Sequence, residues 1–288
     1  CLTKTKNMNN RIIGFFTAAL TLTLLVTSCS NPEEKKETAV AAAKQMAAAP
    51  ALPNEHLMTV VEAVSLIKNY LETINNSTIA SELKSLPIGG AFSAEALLQM
   101  TEEDPEANGY IFYGFSDNEP ATLFKDVKML AACKFNYDVD QPANFATTDN
   151  ADIYLINDTL KHAYDLLTPE AITNYLSQYR KTIPTAASVY KYGKIKENMS
   201  AYTSFFNETF GDGTVKWPYA LFSSEDFLTR LYEATNGENN FGGIRYYFGL
   251  DKDGEDSKLR IIIFAVDKSG ANVVVDNKIL ERHWPPSS

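Results

Sequence analysis

Apolar residues recur every three or four positions along residues 59–71, which is the spacing of one buried helix face. Val60, Val64, Ile67 and Leu71 form this face. The pattern therefore predicts an amphipathic helix over this range, with one side packed against the rest of the protein.

A second helix start is predicted at Thr168, because a threonine suits the cap position that precedes the first helical turn. Pro169 follows at the first helical position, where its missing N–H costs nothing. Residues 191–219 then separate this helix from the next recognisable motif, and we interpret them as an insertion.

A short motif occurs twice along the chain. Residues 92–98 read FSAEALL and residues 222–228 read FSSEDFL. In each, a serine followed two positions later by an acid precedes an apolar run, which is typical of a capped helix start.

Each of these helix starts is followed by a polar loop and an aromatic strand that ends in glycine. The two strands read GYIFYG over residues 109–114 and GIRYYFG over residues 243–249. A turn containing aspartate and an apolar strand come next in both places, over residues 127–135 and 259–266. The second of these runs is apolar throughout its centre, which predicts a buried central strand.

The same order of elements at two places indicates an internal duplication. We predict an α+β fold made of duplicated helix–helix–β-hairpin units, with a mainly antiparallel sheet and helices packed on it. The first unit is expected over residues 56–150 and the second over residues 151–288. The helix at Thr59 is matched with the helix at Thr168 in this interpretation.

The beginning of the chain is typical of an export signal. A basic residue, Arg11, is followed by an apolar run over residues 12–26. At 1.5 Å per residue this run is too short to cross about 30 Å of hydrocarbon, but it suits a signal peptide. We expect residues 1–28 to be this signal peptide, with the true start at Met8.

The apolar run ends in the sequence VTSC at residues 26–29, which resembles the lipobox of bacterial lipoproteins. The resemblance implies cleavage before Cys29 and attachment of acyl chains to its thiol. Residues 29–55 contain no aromatic residue and few branched apolar ones, so they are expected to form a disordered tether. The membrane would then be a partner through these acyl chains, and two or three chains suffice for stable anchoring.

The repeat pattern also resembles two-copy envelope lipoproteins of Gram-negative bacteria that have no known activity. The resemblance rests on the aromatic strand that ends in Phe-Gly at residues 248–249 and on the strand end formed by residues 265–267. It implies an outer-membrane location, on the periplasmic side or at the cell surface. Acids such as Glu33 and Glu34, close behind Cys29, resemble the surface-export signal of some of these lipoproteins.

The composition narrows the choice of partners. The chain carries 36 acidic and 26 basic residues, a formal charge of -10, and this balance argues against nucleic acid as a partner. Three cysteines cannot form a disulfide framework, and three histidines leave little material for a histidine-rich metal site. Cys133 lies in an apolar run and is interpreted as a small buried residue.

Two candidate binding sites follow from the motifs. The aromatic strands could line a groove for a sugar or a peptide through Tyr110, Phe112, Tyr246 and Phe248. The alternative is that these rings are packed in the core, as aromatic residues of strands usually are.

The other candidate is a calcium loop formed by Asp251, Asp253 and Asp256 around a glycine. It lacks the bidentate glutamate of an EF-hand, since Lys258 and Arg260 occupy that region. A solvated hairpin turn is the alternative, and no other cofactor is expected.

Catalytic motifs are absent from the sequence. It contains no nucleophile elbow, zinc-binding HExxH motif, phosphate-binding glycine loop or CxxC pair. His162 lies four residues after Asp158, which is the spacing of a surface ion pair on a helix. We therefore expect a non-enzymatic binding or interaction module for an envelope protein, a peptide or a glycan. The alternative is a cell-surface hydrolase that cleaves a glycan or peptide polymer through paired carboxylates.

Overall fold

The computed structural model describes residues 56–77, 86–103, 109–116, 127–132, 149–156, 160–161, 166, 168–211, 213–215, 219–252 and 257–282. The predicted signal peptide, Cys29, the predicted tether, Cys133 and His162 lie outside these residues.

The described residues form five α-helices and eleven strands, numbered here in chain order. The helices are α1 (Val60–Asn76), α2 (Ala94–Glu103), α3 (Pro169–Gln178), α4 (Tyr192–Phe210) and α5 (Ser224–Ala234). The strands are β1 (His56–Met58), β2 (Pro87–Ser93), β3 (Gly109–Ser116), β4 (Val127–Ala132), β5 (Asp152–Leu155), β6 (Leu160–Lys161), β7 (Ser188–Lys191), β8 (Tyr219–Ser223), β9 (Phe241–Asp251), β10 (Lys258–Asp267) and β11 (Ile279–Arg282).

These strands form two antiparallel sheets. The six-stranded sheet has the order β1-β11-β10-β9-β2-β6, and the five-stranded sheet has the order β7-β5-β4-β3-β8. Helices pack on both sheets, with α1 against β9 and α4 against β3. The predicted α+β class with mainly antiparallel pairing is confirmed.

Helix α1 begins where the sequence predicts, because its first turn is closed by a reciprocal cap. The Thr59 hydroxyl accepts a hydrogen bond from the Glu62 N–H at 3.2 Å, and the Glu62 carboxylate accepts one from the Thr59 N–H at 2.7 Å. The Val60 N–H donates to Asp276 Oδ1 at 2.8 Å, so the exposed donors of this helix end are satisfied from outside the helix as well.

The starts of α2 and α3 also follow the sequence. The Ser93 hydroxyl accepts a hydrogen bond from the Ala96 N–H at 3.1 Å at the start of α2. The Thr168 hydroxyl accepts one from the Ala171 N–H at 3.2 Å, and Pro169 occupies the first turn of α3. Side-chain caps therefore fix three of the helix starts.

Strands β2 and β8 connect the two sheets, and we call them the crossing strands. Strand β2 pairs with β9 in the six-stranded sheet, but α2 then leads the chain into β3 of the five-stranded sheet. Strand β8 pairs with β3 in the five-stranded sheet, and α5 leads the chain into β9 of the six-stranded sheet. Neither sheet is therefore built from one continuous part of the chain.

Four aromatic rings join the sheets at the crossing strands. The centroid of Phe92 lies 6.0 Å from that of Tyr246 within the six-stranded sheet, and Phe112 lies 5.7 Å from Phe222 within the five-stranded sheet. Phe92 and Phe112 are 5.6 Å apart across the interface between sheets. Aromatic pairs at these distances stabilise a core beyond their buried area. We call these four residues the ring cluster.

Strand β3 is buried on both faces. Its other face carries Ile111, Tyr113 and Phe115, which pack with Ile195 and Met199 of α4 in a second, smaller cluster. Strand β10 is likewise buried over residues 261–266 and lies between β9 and β11, so the predicted central strand is confirmed.

Gly243 is required at the point where β9 meets the crossing strand β2. Its φ of 138° lies in a region that side chains disfavour. A Cβ atom at this position would lie 2.3 Å from the Phe92 carbonyl oxygen, which is part of the backbone and cannot move aside. The glycine thus permits the close approach of the two strands.

The ring cluster predicts a large stability loss for Phe92→Ala. This change removes a fully buried ring that contacts both sheets, so we expect the free energy of unfolding to fall by about 3–5 kcal/mol. Urea unfolding followed by circular dichroism measures the change. Val61→Ala is the matched control, because Val61 is 77% exposed and its truncation should change stability by no more than about 0.5 kcal/mol. Equal effects of the two substitutions would contradict the role of the ring cluster.

Candidate functional site

The four aromatic residues expected to line a groove all lie in the core. Tyr110, Phe112 and Phe248 are fully buried and Tyr246 is 7% exposed. The Tyr110 hydroxyl forms a hydrogen bond with Thr101 Oγ1 at 2.6 Å. These side chains contribute packing, and in this structure they offer no surface on which a sugar or a peptide could stack.

The expected calcium loop is described only at its first residue. Asp251 forms an ion pair with Arg260, whose other terminal nitrogen lies 3.2 Å from Glu281 Oε1. Asp253 and Asp256 lie outside the described residues. Within the described ranges, His, Cys, Asp and Glu side chains do not gather in a group of three or more that could hold a metal ion. The calcium loop stays a prediction.

The structure instead draws attention to Arg245, a fully buried arginine in the middle of β9. Its Nη1 donates to Asn272 Oδ1 at 2.7 Å and to the Gly270 carbonyl oxygen at 3.3 Å. Its Nη2 donates to the Lys181 carbonyl oxygen at 2.7 Å. The guanidinium thus joins β9 to the residues that follow α3 and to the turn that follows β10.

Asn272 extends this network in the other direction. Its amide nitrogen donates to the Leu176 carbonyl oxygen at 2.9 Å and to the Tyr247 hydroxyl at 3.0 Å. Burial raises the pKa of Tyr247, so this hydroxyl stays protonated over the whole physiological range. One asparagine therefore links α3, β9 and the arginine.

Two tyrosines of α3 and its C-terminus lie beside the guanidinium. The Arg245 Cζ atom is 4.6 Å from the centroid of the Tyr179 ring, a cation–π contact. The centroid of the Tyr175 ring lies 5.3 Å from that of Tyr179, and the two rings are tilted relative to each other. Burial and the neighbouring Tyr179 raise the pKa of Tyr175 to about 12, although the positive charge of Arg245 acts in the opposite direction. Tyr175 is therefore neutral at physiological pH and does not supply a counter-charge.

The turn over residues 267–272 carries two acceptors for Arg245, the Gly270 carbonyl oxygen and Asn272 Oδ1. Asp267 Oδ1 accepts hydrogen bonds from the N–H groups of Ser269 at 2.8 Å and Ala271 at 3.0 Å. Burial acts to raise the pKa of Asp267, but these hydrogen bonds outweigh it and the pKa is lowered. The ionised carboxylate therefore stabilises the turn that presents Gly270 and Asn272 to the arginine.

The charge of Arg245 is unusual for its location. An arginine keeps its charge in proteins, and a buried charge normally has an ionic partner. Here the acceptors are two backbone carbonyls, an amide oxygen and the face of a ring, and no described carboxylate lies within ion-pair distance. Its Nε atom is buried and has no hydrogen-bond partner among the described residues.

Arg245 was not among the residues that the sequence analysis singled out. A signal was present, because the arginine interrupts a strand that is otherwise apolar or aromatic. Aligning the two aromatic strands on their first glycines places Ile111 opposite Arg245, and both residues are fully buried. The arginine thus stands where the other aromatic strand has a buried isoleucine.

Comparison of the chain with protein families, with curated proteins and with solved structures finds no match in any of the three. Among the described residues, no helix combines the length and the apolar character needed to cross a bilayer.

The network predicts that Asn272→Leu is destabilising and that Arg245→Met partly reverses the loss. Asn272→Leu removes an acceptor from a buried cation and a donor from the Leu176 carbonyl, so we expect a loss of about 1–3 kcal/mol. Adding Arg245→Met to the same chain removes the buried cation, which is the group that Asn272→Leu leaves with one acceptor fewer. Chemical unfolding of both single variants and the double variant measures the coupling.

Arg180→Met is the control, since Arg180 is exposed and donates only to Ser269 Oγ at 3.2 Å among the contacts described. Its effect should be no more than about 0.5 kcal/mol. Strictly additive losses from Asn272→Leu and Arg245→Met would show that the two side chains do not act together.

Proposed function

We propose that this protein is a lipid-anchored protein of the bacterial outer membrane, on its periplasmic side or at the cell surface. The observation that carries this proposal is the sequence VTSC at residues 26–29, directly after an apolar run of signal-peptide length. In this proposal residues 1–28 are removed, acyl chains are attached to Cys29, and residues 29–55 connect the anchor to the folded part.

The folded part is proposed to serve as a binding or interaction module. The attachment point supports this, because residue 55 directly precedes β1, an edge strand of the six-stranded sheet. The anchor would therefore hold the module by one sheet edge and leave the rest of its surface free for an envelope protein, a peptide or a glycan. The cell-surface hydrolase with paired carboxylates stays an untested alternative.

We further infer that the module arose by duplication, and its topology supports this. The element order β-α-β-α-β-β-β occurs over residues 56–155 and again over residues 188–282. In the first, the helices are α1 and α2; in the second, they are α4 and α5. Residues 156–187, which include α3, lie between the two units and have no counterpart.

The strand orders support the same correspondence. Replacing each strand of β1-β11-β10-β9-β2 by its counterpart in the other unit produces β7-β5-β4-β3-β8, which is the order of the five-stranded sheet. Strand β6 is additional in the six-stranded sheet. Two sheets with one order built from complementary parts of the chain are difficult to obtain without duplication.

The registers at the crossing strands correspond as well. Ser93 pairs with Gly243 where β2 meets β9, and Ser223 pairs with Gly109 where β8 meets β3. These are the serines and glycines of the two repeated motifs. Each unit thus contributes its crossing strand to the sheet that contains the hairpin of the other unit.

This correspondence revises the helix pairing suggested by the sequence. The sequence pattern matched α1 with α3, but α1 packs on β9 in the way that α4 packs on β3. Buried tyrosines support α4 as the counterpart, since Tyr70 of α1 and Tyr202 of α4 lie eleven residues after the N-cap positions of these helices, Thr59 and Lys191. Residues 191–219 are then part of the repeat and not an insertion.

The lipid anchor predicts the effect of Cys29→Ala. Expressed in a Gram-negative host with an alkyne analogue of palmitate, the unmodified chain should be labelled and fractionate with the outer membrane. Cys29→Ala should abolish the labelling and release the protein from the membrane fraction, because the acyl chains have no other attachment site. Cys133→Ala is the matched control and should behave as the unmodified chain. Labelling that persists in Cys29→Ala would contradict the anchor.

The duplication predicts that the two units assemble when they are separate chains. A break between Thr185 and Ala186, which are both exposed, separates them without cutting a strand or helix. Co-expressed residues 1–185 and 186–288 should purify as a one-to-one complex, because each sheet needs a crossing strand from the other piece. Size-exclusion chromatography and cooperative urea unfolding measure this. A stable monomer formed by either piece alone would contradict the exchange of strands between units.

A further inference from the structure

We infer that Arg245 is the centre of a carboxylate-binding site, which residues 168–187 cover in this structure. We call residues 168–187 the cover segment. The inference rests on the proposed function as a binding module and names the class of ligand, an organic carboxylate.

The two ends of the guanidinium have different surroundings. Nη1 is held by Asn272 and Gly270, which belong to the turn after β10 and fix the orientation of the group. Nε and Nη2 lie on one edge of the planar guanidinium and form a pair of parallel N–H donors. Nη2, one member of this pair, donates to the Lys181 carbonyl oxygen of the cover segment.

The pair of donors is only half used by the protein. The Lys181 carbonyl oxygen occupies Nη2, and Nε is left buried without a partner among the described residues. A carboxylate has two oxygens at the spacing of these donors and accepts from both at once. It would also supply the negative charge that the described surroundings of this buried cation lack.

The cover segment imitates such a ligand with backbone carbonyls. Lys181 presents its carbonyl oxygen to the arginine, and Leu176 presents its own to the amide of Asn272. If the cover segment moves away, Arg245 and Asn272 expose three N–H donors, next to the Tyr247 hydroxyl. A carboxylate with an attached polar group would match this set.

Few buried side chains hold the cover segment to the rest of the protein. Its fully buried side chains are Ile172, Leu176 and Ile183, while most of its other residues are exposed or partly exposed. It also lies between the two units of the repeat pattern and belongs to neither. A segment of this kind can be displaced without opening the ring cluster, whose members lie elsewhere in the core.

The other unit of the repeat supports the same inference. Ile111 occupies the matching place in the other aromatic strand and is packed with apolar side chains. An isoleucine is therefore sufficient for the architecture at this position, and the arginine is not needed for packing. Its presence only beneath the cover segment is consistent with a role in binding.

Acetate is a suitable probe, with chloride at equal ionic strength as the reference. The readout is the NMR resonance of the Arg245 Nε–H in the full chain solubilised in detergent and labelled with ¹⁵N-arginine. Acetate should shift this resonance, and chloride should not. Ile183→Ala weakens the cover segment and should lower the apparent dissociation constant for acetate by at least about tenfold, because the open form is more populated.

Arg245→Lys removes the pair of parallel donors while keeping the positive charge, and it should abolish acetate binding, followed by acetate-dependent thermal stabilisation. If this variant does not fold, the acetate titrations of the unmodified chain and of Ile183→Ala test the inference by themselves. Absence of an acetate-specific shift in both proteins, or binding that survives Arg245→Lys, overturns the inference. Lipid attachment at Cys29 is measured separately, so failure here is distinguishable from failure of the membrane anchor.

Discussion

The structure depends on the contact between the crossing strands and the ring cluster. Each crossing strand pairs in one sheet and is followed in the chain, after an α-helix, by a strand of the other sheet. The chain therefore passes from one sheet to the other at both crossing strands. Phe92 and Phe112 meet at this junction, so two fully buried rings lie where the two sheets contact each other. This arrangement explains why glycine is needed at Gly243, where the backbones approach closely.

Arg245 shows what the same architecture permits away from that junction. Strand β9 is buried on both faces, so the charge of Arg245 has to be stabilised by the segments that cover the sheet. Backbone carbonyls from two segments distant in sequence provide the acceptors, and Tyr179 closes the site with its ring. Neutral acceptors satisfy hydrogen bonds but leave the charge itself without a counterion. That difference separates this position from Ile111, where an apolar side chain needs no such compensation.

Much of the local structure followed from the sequence. The starts of α1, α2 and α3 were predicted at Thr59, Ser93 and Thr168, because helix periodicity and side-chain caps depend on residues close together in the chain. The buried central strand β10 followed from its unbroken apolar run. The aromatic residues expected to line a groove proved to be core residues, since alternation along a strand does not reveal whether its second face is covered. The calcium loop stays a prediction, because two of its three aspartates lie outside the described residues.

The sequence by itself determined where α1, α2 and α3 begin, that β3, β4, β9 and β10 are strands, and the overall α+β class. These properties are encoded in short patterns of hydrophobicity, capping and residue type. Only the tertiary structure decided which sheet each strand joins, why α4 rather than α3 resembles α1, and which groups surround Arg245. Strand pairing and the neighbours of a buried charge depend on contacts between segments about 25 to 150 residues apart, such as Arg245 with Asn272 and Gly90 with Tyr246. No local pattern contains the energies of those contacts, so they are fixed only when the whole chain packs.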